Sequence, residues 1–266
     1  MNRGICAITI AWVLFAGCGK SHEVFRSLQD FTGKKIASQE GTTFQKFIDL
    51  VIPDVEHSHF SSVPEMAALL SSDTVDAMCV DLPVAKHLTA QNTDFAIFHS
   101  AVAEDRYGFL VTKGSELGQK ANEILSRFIK DGTISALEET WFSADESRKV
   151  LPKLNYKADF NGSAGTIRFG CESILIPMSY ISKGKIVGFD LDIAARIAYE
   201  MNMRIDFIPM AFDALFTGIL SGEITMAGSS ISITEERMLR YDYIGPYLDG
   251  GAVLVIKKDR LGKDNT

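Results

Sequence analysis

The sequence predicts an α/β protein with mainly parallel sheets flanked by helices, and three observations lead there. Short apolar strands alternate with amphipathic helices over residues 34–142, the pattern of βαβ units. The same alternation resumes at Thr166, after a segment (146–165) that fits neither period. A lone apolar strand, 252–257, then comes almost at the C-terminus and needs a partner elsewhere, because an unpaired apolar edge is an aggregation site. With 266 residues, 46% of them hydrophobic, the chain can bury one large core or the cores of two lobes.

Residues 34–38 read as a strand ending in Gln39-Glu40-Gly41-Thr42-Thr43. A helix follows from Phe44, with Phe47, Ile48 and Val51 on its buried side. Residues 63–70 read as a second helix, and 77–80 as a buried strand that stops at Asp81-Leu82-Pro83. Two more strands, 95–98 and 107–112, precede helices over 117–129 and 134–142, the first closed by Asp131-Gly132. Segment 146–165 holds Pro152 and the run Asn161-Gly162-Ser163-Ala164-Gly165, and reads as a linker. Beyond it, 166–170, 186–189, 204–209 and 226–229 read as strands, and 190–201 and 214–220 as helices. A polar turn at 234–237 starts one further helical turn.

A formal net charge of −7, with both signs dispersed, excludes nucleic acid as a partner, since phosphate binding needs a basic face. The N-terminus carries Arg3, an apolar run over 5–15, and then Leu14-Phe15-Ala16-Gly17-Cys18. That run is too short to span a bilayer and suits a secretory signal. The string resembles a bacterial lipobox, which makes Cys18 the expected lipidated first residue; the alternative is an ordinary signal peptide with a chance cysteine. No second apolar stretch reaches membrane-spanning length, so the expected attachment is by lipid alone. Cys79 and Cys171 remain after Cys6 and Cys18 are set aside. No Cys or His spacing suggests a metal, and His57 and His59 read as surface loop residues. No cofactor is expected.

The second block contains Ile176-Pro177-Met178-Ser179-Tyr180 and Gly188-Phe189-Asp190-Leu191-Asp192, then Ser232-Ile233-Thr234-Glu235-Glu236-Arg237 and Tyr243-Ile244-Gly245-Pro246-Tyr247. This succession resembles the opening lobe of the family 3 extracellular solute-binding proteins, the periplasmic polar amino-acid receptors. The first block contains Gly33-Lys34-Lys35-Ile36-Ala37, Gly41-Thr42-Thr43, Val75-Asp76-Ala77, Tyr107-Gly108, Lys113-Gly114-Ser115, Asp131-Gly132-Thr133 and Trp141-Phe142. It is similar to the family's second lobe and closing helices. The two blocks stand in swapped order, the mark of a circular permutation with 146–165 joining the family's usual termini. A fusion of half-domains that complete each other in a swapped dimer is the rival; the permutant is expected to be a monomer.

The resemblance implies a type II periplasmic-binding-protein fold of two lobes. Lobe two takes 24–102 plus 252–257, lobe one takes 108–145 plus 166–246, and 103–107 and 247–251 are the hinges. Cys79 and Cys171 then fall in different lobes and are expected as free thiols. The implied function is capture of a free amino acid by hinge closure for an ABC permease or a sensor, without catalysis. A dehydratase of cyclic amino acids, a cyclohexadienyl or arogenate type on the same fold, is the alternative.

Residue by residue, Arg237 matches the family's carboxylate clamp, and its planar fork suits bidentate bonding. Asp81 matches the acceptor of the ammonium; alternatively it caps a helix starting at Leu82. Thr42 and Thr43 either present amides to the carboxylate or merely cap the helix at Phe44. Ser230 and Ser232 match further carboxylate partners, and Phe212 matches the aromatic wall, whereas Leu175 replaces a second aromatic. Gln39, Glu172 and Met178 are expected to set specificity. Glu172 favours a polar or basic side chain unless it pairs with Arg168 or Lys153.

Overall fold

The computed structural model describes residues 23–143, 145–149, 151 and 161–263. The lipobox at Cys18, Lys153 and half of the joining segment lie outside the described residues. The first half runs β1 (Lys35–Gln39), α1 (Phe44–Val51), β2 (Glu56–Phe60), α2 (Val63–Ser71), β3 (Ala77–Asp81) and α3 (Leu82–Gln91). It continues with β4 (Phe95–Thr112), α4 (Glu116–Lys130) and α5 (Thr133–Trp141). The second half runs β5 (Thr166–Cys171), β6 (Ile174–Leu175), β7 (Ser179–Ser182), β8 (Lys185–Val187), α6 (Phe189–Glu200) and β9 (Arg204–Pro209). It closes with α7 (Phe212–Ser221), β10 (Met226–Ala227), α8 (Glu235–Met238) and β11 (Tyr241–Lys257).

Eight strands join in the order β2-β1-β3-β11-β4-β10-β5-β9. The β2-β1-β3 and β10-β5-β9 triplets are parallel, and β11 and β4 run antiparallel between them. A parallel strand covered on both faces has no polar side, and β3 is accordingly buried at every position. The terminal stretch finds its partner there, with Ala252 opposite Asp81 and Val255 opposite Met78.

Residues 95–98 and 107–112, expected as two strands, are one continuous β4. It pairs with β11 from Phe95 opposite Lys257 to Thr112 opposite Tyr241. Its polar middle, Glu104-Asp105-Arg106, hid that continuity, because an exposed ladder needs no apolar alternation. The two segments expected as hinges lie side by side in this ladder, Leu248 opposite Tyr107 and Gly251 opposite Glu104. His57 and His59 sit on β2, not on a loop; as the sheet edge, that strand can carry polar residues. His57 binds Asp49 at 2.7 Å, and His59 binds Ser38 at 3.1 Å. Helix α3 follows β3 without a loop, its Pro83 tolerated in the first turn where no N–H partner is required. The strand expected over 226–229 ends at Ala227, because Ser229 and Ser230 turn away, Ser230 in the left-handed region (φ 49°).

One core cluster packs Phe25, Phe31, Ile48, Phe98 and Leu254 together, and another groups Leu110, Leu215 and Ile219 beneath α7. The largest runs along the joined sheets through Met66, Val80, Phe109, Phe169 and Ile193. Each such side chain contributes about 1.5–3 kcal/mol on burial. Helix α5 docks on α6 through the buried Trp141, whose Nε1 donates to Asp192 at 3.0 Å, and Arg127 of α4 bonds Glu200 at 2.8 Å. Thus 108–143 packs against the second half although 146–165 separates them in sequence. Cys79 and Cys171 are buried and free. Among the described residues no helix is long and apolar enough to cross a membrane.

Candidate functional site

Across the joined sheet β5 runs opposite to β1 and β3, and side chains at and just beyond the carboxyl ends of all three surround a small cavity. In open α/β sheets ligands bind at these ends. Gln39, Thr42 and Asp81 line it from the first half, and Glu172, Phe212, Ser230 and Ser232 from the second. The wall also includes Leu175.

Asp81 occupies the N-cap position of α3 but makes no side-chain capping bond. Its Oδ1 instead accepts the hydroxyl of Tyr107 at 2.6 Å. Burial, reinforced by the nearby carboxyls of Asp105, Glu172 and Asp190, outweighs that bond and pushes the Asp81 carboxyl up to about 8. The Tyr107 ring lies on the backbone of Gly250, where an added Cβ would come within 2.4 Å of Cε2. A glycine at this point of β11 is what lets the tyrosine reach the cavity.

Glu172 is 3% exposed. Its main-chain N–H donates to Ser229 Oγ at 2.9 Å, and its Oε1 accepts Gln39 Nε2 at 2.6 Å. Gln39 therefore ties β1 to the residue following β5, across the cavity. The Glu172 Oε2 is buried with no hydrogen-bond partner among the described residues. Burial raises this carboxyl to about 7, opposed by the Gln39 bond and assisted by Asp213. Arg168 does not pair with it: the guanidinium goes to the carbonyls of Gly222 and Glu223, each at 2.8 Å.

The helix-capping reading of Thr42 and Thr43 is not realised. Thr42 Oγ1 donates to Gln39 O at 2.7 Å, and Thr43, at the N-cap of α1, makes no side-chain capping bond. Thr43 Oγ1 instead shares a 3.0 Å hydrogen bond with Ser232 Oγ, a second link between the halves. Ser232 Oγ also donates to Asp105 Oδ2 at 2.6 Å.

Arg237 borders the cavity through Ser232 without lining it. Its Nη1 donates to Ser232 O at 3.0 Å and its Nη2 to Gly41 O at 2.8 Å, while the guanidinium lies over the Phe216 ring, 4.7 Å from its centre. The Gly41 contact makes it a third link, and the Lys46–Glu236 ion pair adds a fourth at the exposed rim. Met178 stands apart. It is fully buried in the core, with its carbonyl accepting the N–H of Asp190 and pressed so closely on Gly188 that a Cβ there would lie 2.1 Å from that oxygen.

Two carboxyls of this region were not singled out as site residues from the sequence. Asp105 lay inside a segment read as a hinge, and Asp190 inside a helix start. Asp190 is fully buried, accepts the N–H of Ser230 at 3.2 Å and faces the Tyr247 hydroxyl. Burial raises it to about 7. Asp105 is also raised by burial, while Ser232, the main-chain N–H of Arg106 and the Arg237 charge act against that. Their only signal in the sequence is an acidic residue beside a buried aromatic strand, which is too common to use. The result is a cavity with one guanidinium at its border and carboxyls around the rest, a charge pattern that complements an acid at one end and hydrogen-bond donors at the other.

Residues 167–265 match the family described as bacterial extracellular solute-binding proteins, family 3. The arginine-binding periplasmic protein of Mannheimia haemolytica is 34% identical over 107 residues, 35% of this chain and 45% of that protein. The ABC transporter arginine-binding protein 1 of Escherichia coli (strain K12) is 32% identical over 112 residues, 41% and 46% of the two chains. The L-cystine-binding protein TcyJ of the same organism is 28% identical over 125 residues, 46% and 47%. The match thus spans less than half the length of each of these curated relatives. Among solved structures, an ancestral arginine-binding protein bound to arginine is 35% identical with a TM-score of 0.28, covering 30% of this chain and 35% of that one.

Proposed function

We propose that the chain captures a free amino acid in the cavity between its halves and delivers it to an ABC-type permease, with no reaction of its own. The observation that carries this reading is the arrangement of charge across one cavity, with Arg237 at one border and Asp81 and Glu172 deep within. A zwitterion needs both, because desolvating either charge without a partner is costly. The ligand carboxylate takes the remaining donors of Arg237 with Ser232 and the amides at Thr42 and Thr43. The ammonium takes Asp81, and the side chain extends toward Glu172, which favours a polar or basic amino acid. Relatives named for arginine and cystine binding support this class.

In the same reading 24–102 with 252–257, and 108–145 with 166–246, are two lobes that open and close about the paired segments 103–107 and 247–251. The four links between halves, at Gln39, Thr43, Arg237 and Lys46, are contacts of the closed form. The halves are in permuted order, joined by 146–165. Cys18 carries a lipid that holds the protein at the cell envelope. A thermal-shift screen of the purified chain against the twenty amino acids tests the function. We expect stabilisation by one or a few polar or basic members; no shift with any of them would overturn it. A stable dimer by light scattering would overturn the monomeric permutant, and a Cys18→Ser protein still found in membranes would overturn the anchor.

A further inference from the structure

The carboxyls around the cavity outnumber its cation in a way that bears on how a ligand enters. Asp81, at the end of β3, and Glu172, after β5, line the cavity, and Asp190, at the start of α6, lies behind Ser230 of that lining. Arg237, which borders the cavity through Ser232, faces Asp105, Glu236 and the Tyr243 hydroxyl instead. Two buried polar atoms of the lining, Glu172 Oε2 and Ser230 Oγ, have no hydrogen-bond partner among the described residues. Both residues are at least nine-tenths buried. A carboxylate oxygen in that situation calls for a donor from a ligand, and a bare charge cannot stay there without one.

We propose that the cavity exchanges protons for the positive groups of its ligand: Asp81, Glu172 and Asp190 hold protons in the ligand-free chain and release them when a basic amino acid enters. This rests on the amino-acid-binding reading above and adds to it a thermodynamic coupling. The groups facing each carboxyl make the exchange possible. Asp81 meets the Tyr107 hydroxyl of β4, and the charges of Asp105, Glu172 and Asp190 surround it. Glu172 meets Gln39 of β1 and the charge of Asp213 of α7, and Asp190 meets Tyr247 of β11 and the N–H of Ser230. The thiols of Cys79 and Cys171 lie beside these carboxyls and are pushed up by burial, so they stay neutral. Among the described residues no lysine or histidine is one of these facing groups, so a proton is the available counter-charge until a ligand cation replaces it. Burial sets the ligand-free carboxyls at about 7 to 8, and a cation in contact would pull them down, freeing protons near neutral pH.

The test is calorimetric titration of the whole chain with L-arginine and, separately, L-glutamine, at pH 7 in two buffers of different ionisation enthalpy. Arginine should release about one proton or more, and its affinity should rise about tenfold per pH unit between pH 6 and 7, the slope for one proton exchanged. Glutamine, lacking the second cation, should release fewer. Glu172→Gln, which keeps the shape and an oxygen for Gln39, should lower the proton count for arginine; an unchanged count would remove Glu172 from the exchange. Heats independent of buffer together with a pH-flat arginine affinity would overturn the exchange while leaving amino-acid binding intact. If neither compound nor any other amino acid binds, the functional reading fails and this one with it.

Discussion

The two ends of the cavity treat buried charge differently. At one end Asp105 is built into a satisfied set: Ser232 donates at 2.6 Å, the N–H of Arg106 at 2.8 Å, and the Arg237 charge stands near. At the other, Asp81 has the Tyr107 hydroxyl and three neighbouring acids, and Glu172 has one oxygen bonded and one free. The first end is complete without a ligand. The second is complete only when something supplies positive charge. A buried polar group left unpaired costs about 1–3 kcal/mol, and more when charged, so that end carries the drive for binding.

The comparison can be broken at either end. The largest effect is expected from Arg237→Ala, which removes the carboxylate partner and the Gly41 link together; ligand-induced thermal stabilisation should vanish, and an unchanged shift would remove Arg237 from the site. Asp81→Asn should weaken amino-acid binding by about 2–5 kcal/mol, the usual cost of truncating one member of a buried charge pair, read by calorimetry. The same substitution sharpens the contrast through pH. A carboxyl raised from 3.8 unfolded to about 8 folded holds its proton longer in the native state. Stability is therefore fully present below about pH 4 and is lost as pH rises toward 8. The ligand-free melting temperature should fall between pH 5 and 8, and Asp81→Asn should flatten that fall; an equal fall in both proteins would contradict the assignment.

Smaller changes probe the supports. Gly250→Ala places a Cβ against the Tyr107 ring and should cost about 1–3 kcal/mol in stability by overpacking, with weaker ligand binding as Tyr107 leaves Asp81. Gln39→Ala removes a hydrogen bond of about 0.5–1.5 kcal/mol between the halves, offset by ligand donors to Glu172. Its expected outcome is a modest loss of ligand-free stability, seen in a melt, with binding reduced least of all.

Much of the fold was legible because the elements that matter most are strongly patterned. The wholly buried β3 and the helices α4, α5 and α6 were readable within a residue or two, and the orphan strand 252–257 announced that it needed a partner. What escaped detection was polar and edge-like: β2 with its two histidines, the middle of β4, and α3, hidden behind Pro83. The candidate site divided in the same way. Gln39, Thr42, Asp81, Glu172, Phe212, Ser230 and Ser232 meet around one cavity, since each follows a strand end or starts a helix that the pattern located. Met178 does not join them, because Gly188 lets the chain press its backbone into the core. Asp105, Asp190, Tyr107 and Tyr247 went unassigned, because a hydroxyl–carboxyl contact between distant strands depends on their register, and no local pattern encodes that.

The most direct test of the account is a crystal structure of the chain with the amino acid that stabilises it best. The account predicts the ligand carboxylate at Arg237 and Ser232, its ammonium at Asp81, and its side chain against the free oxygen of Glu172. A ligand seated elsewhere, or one reversed so that its carboxylate faces Asp81, would contradict it.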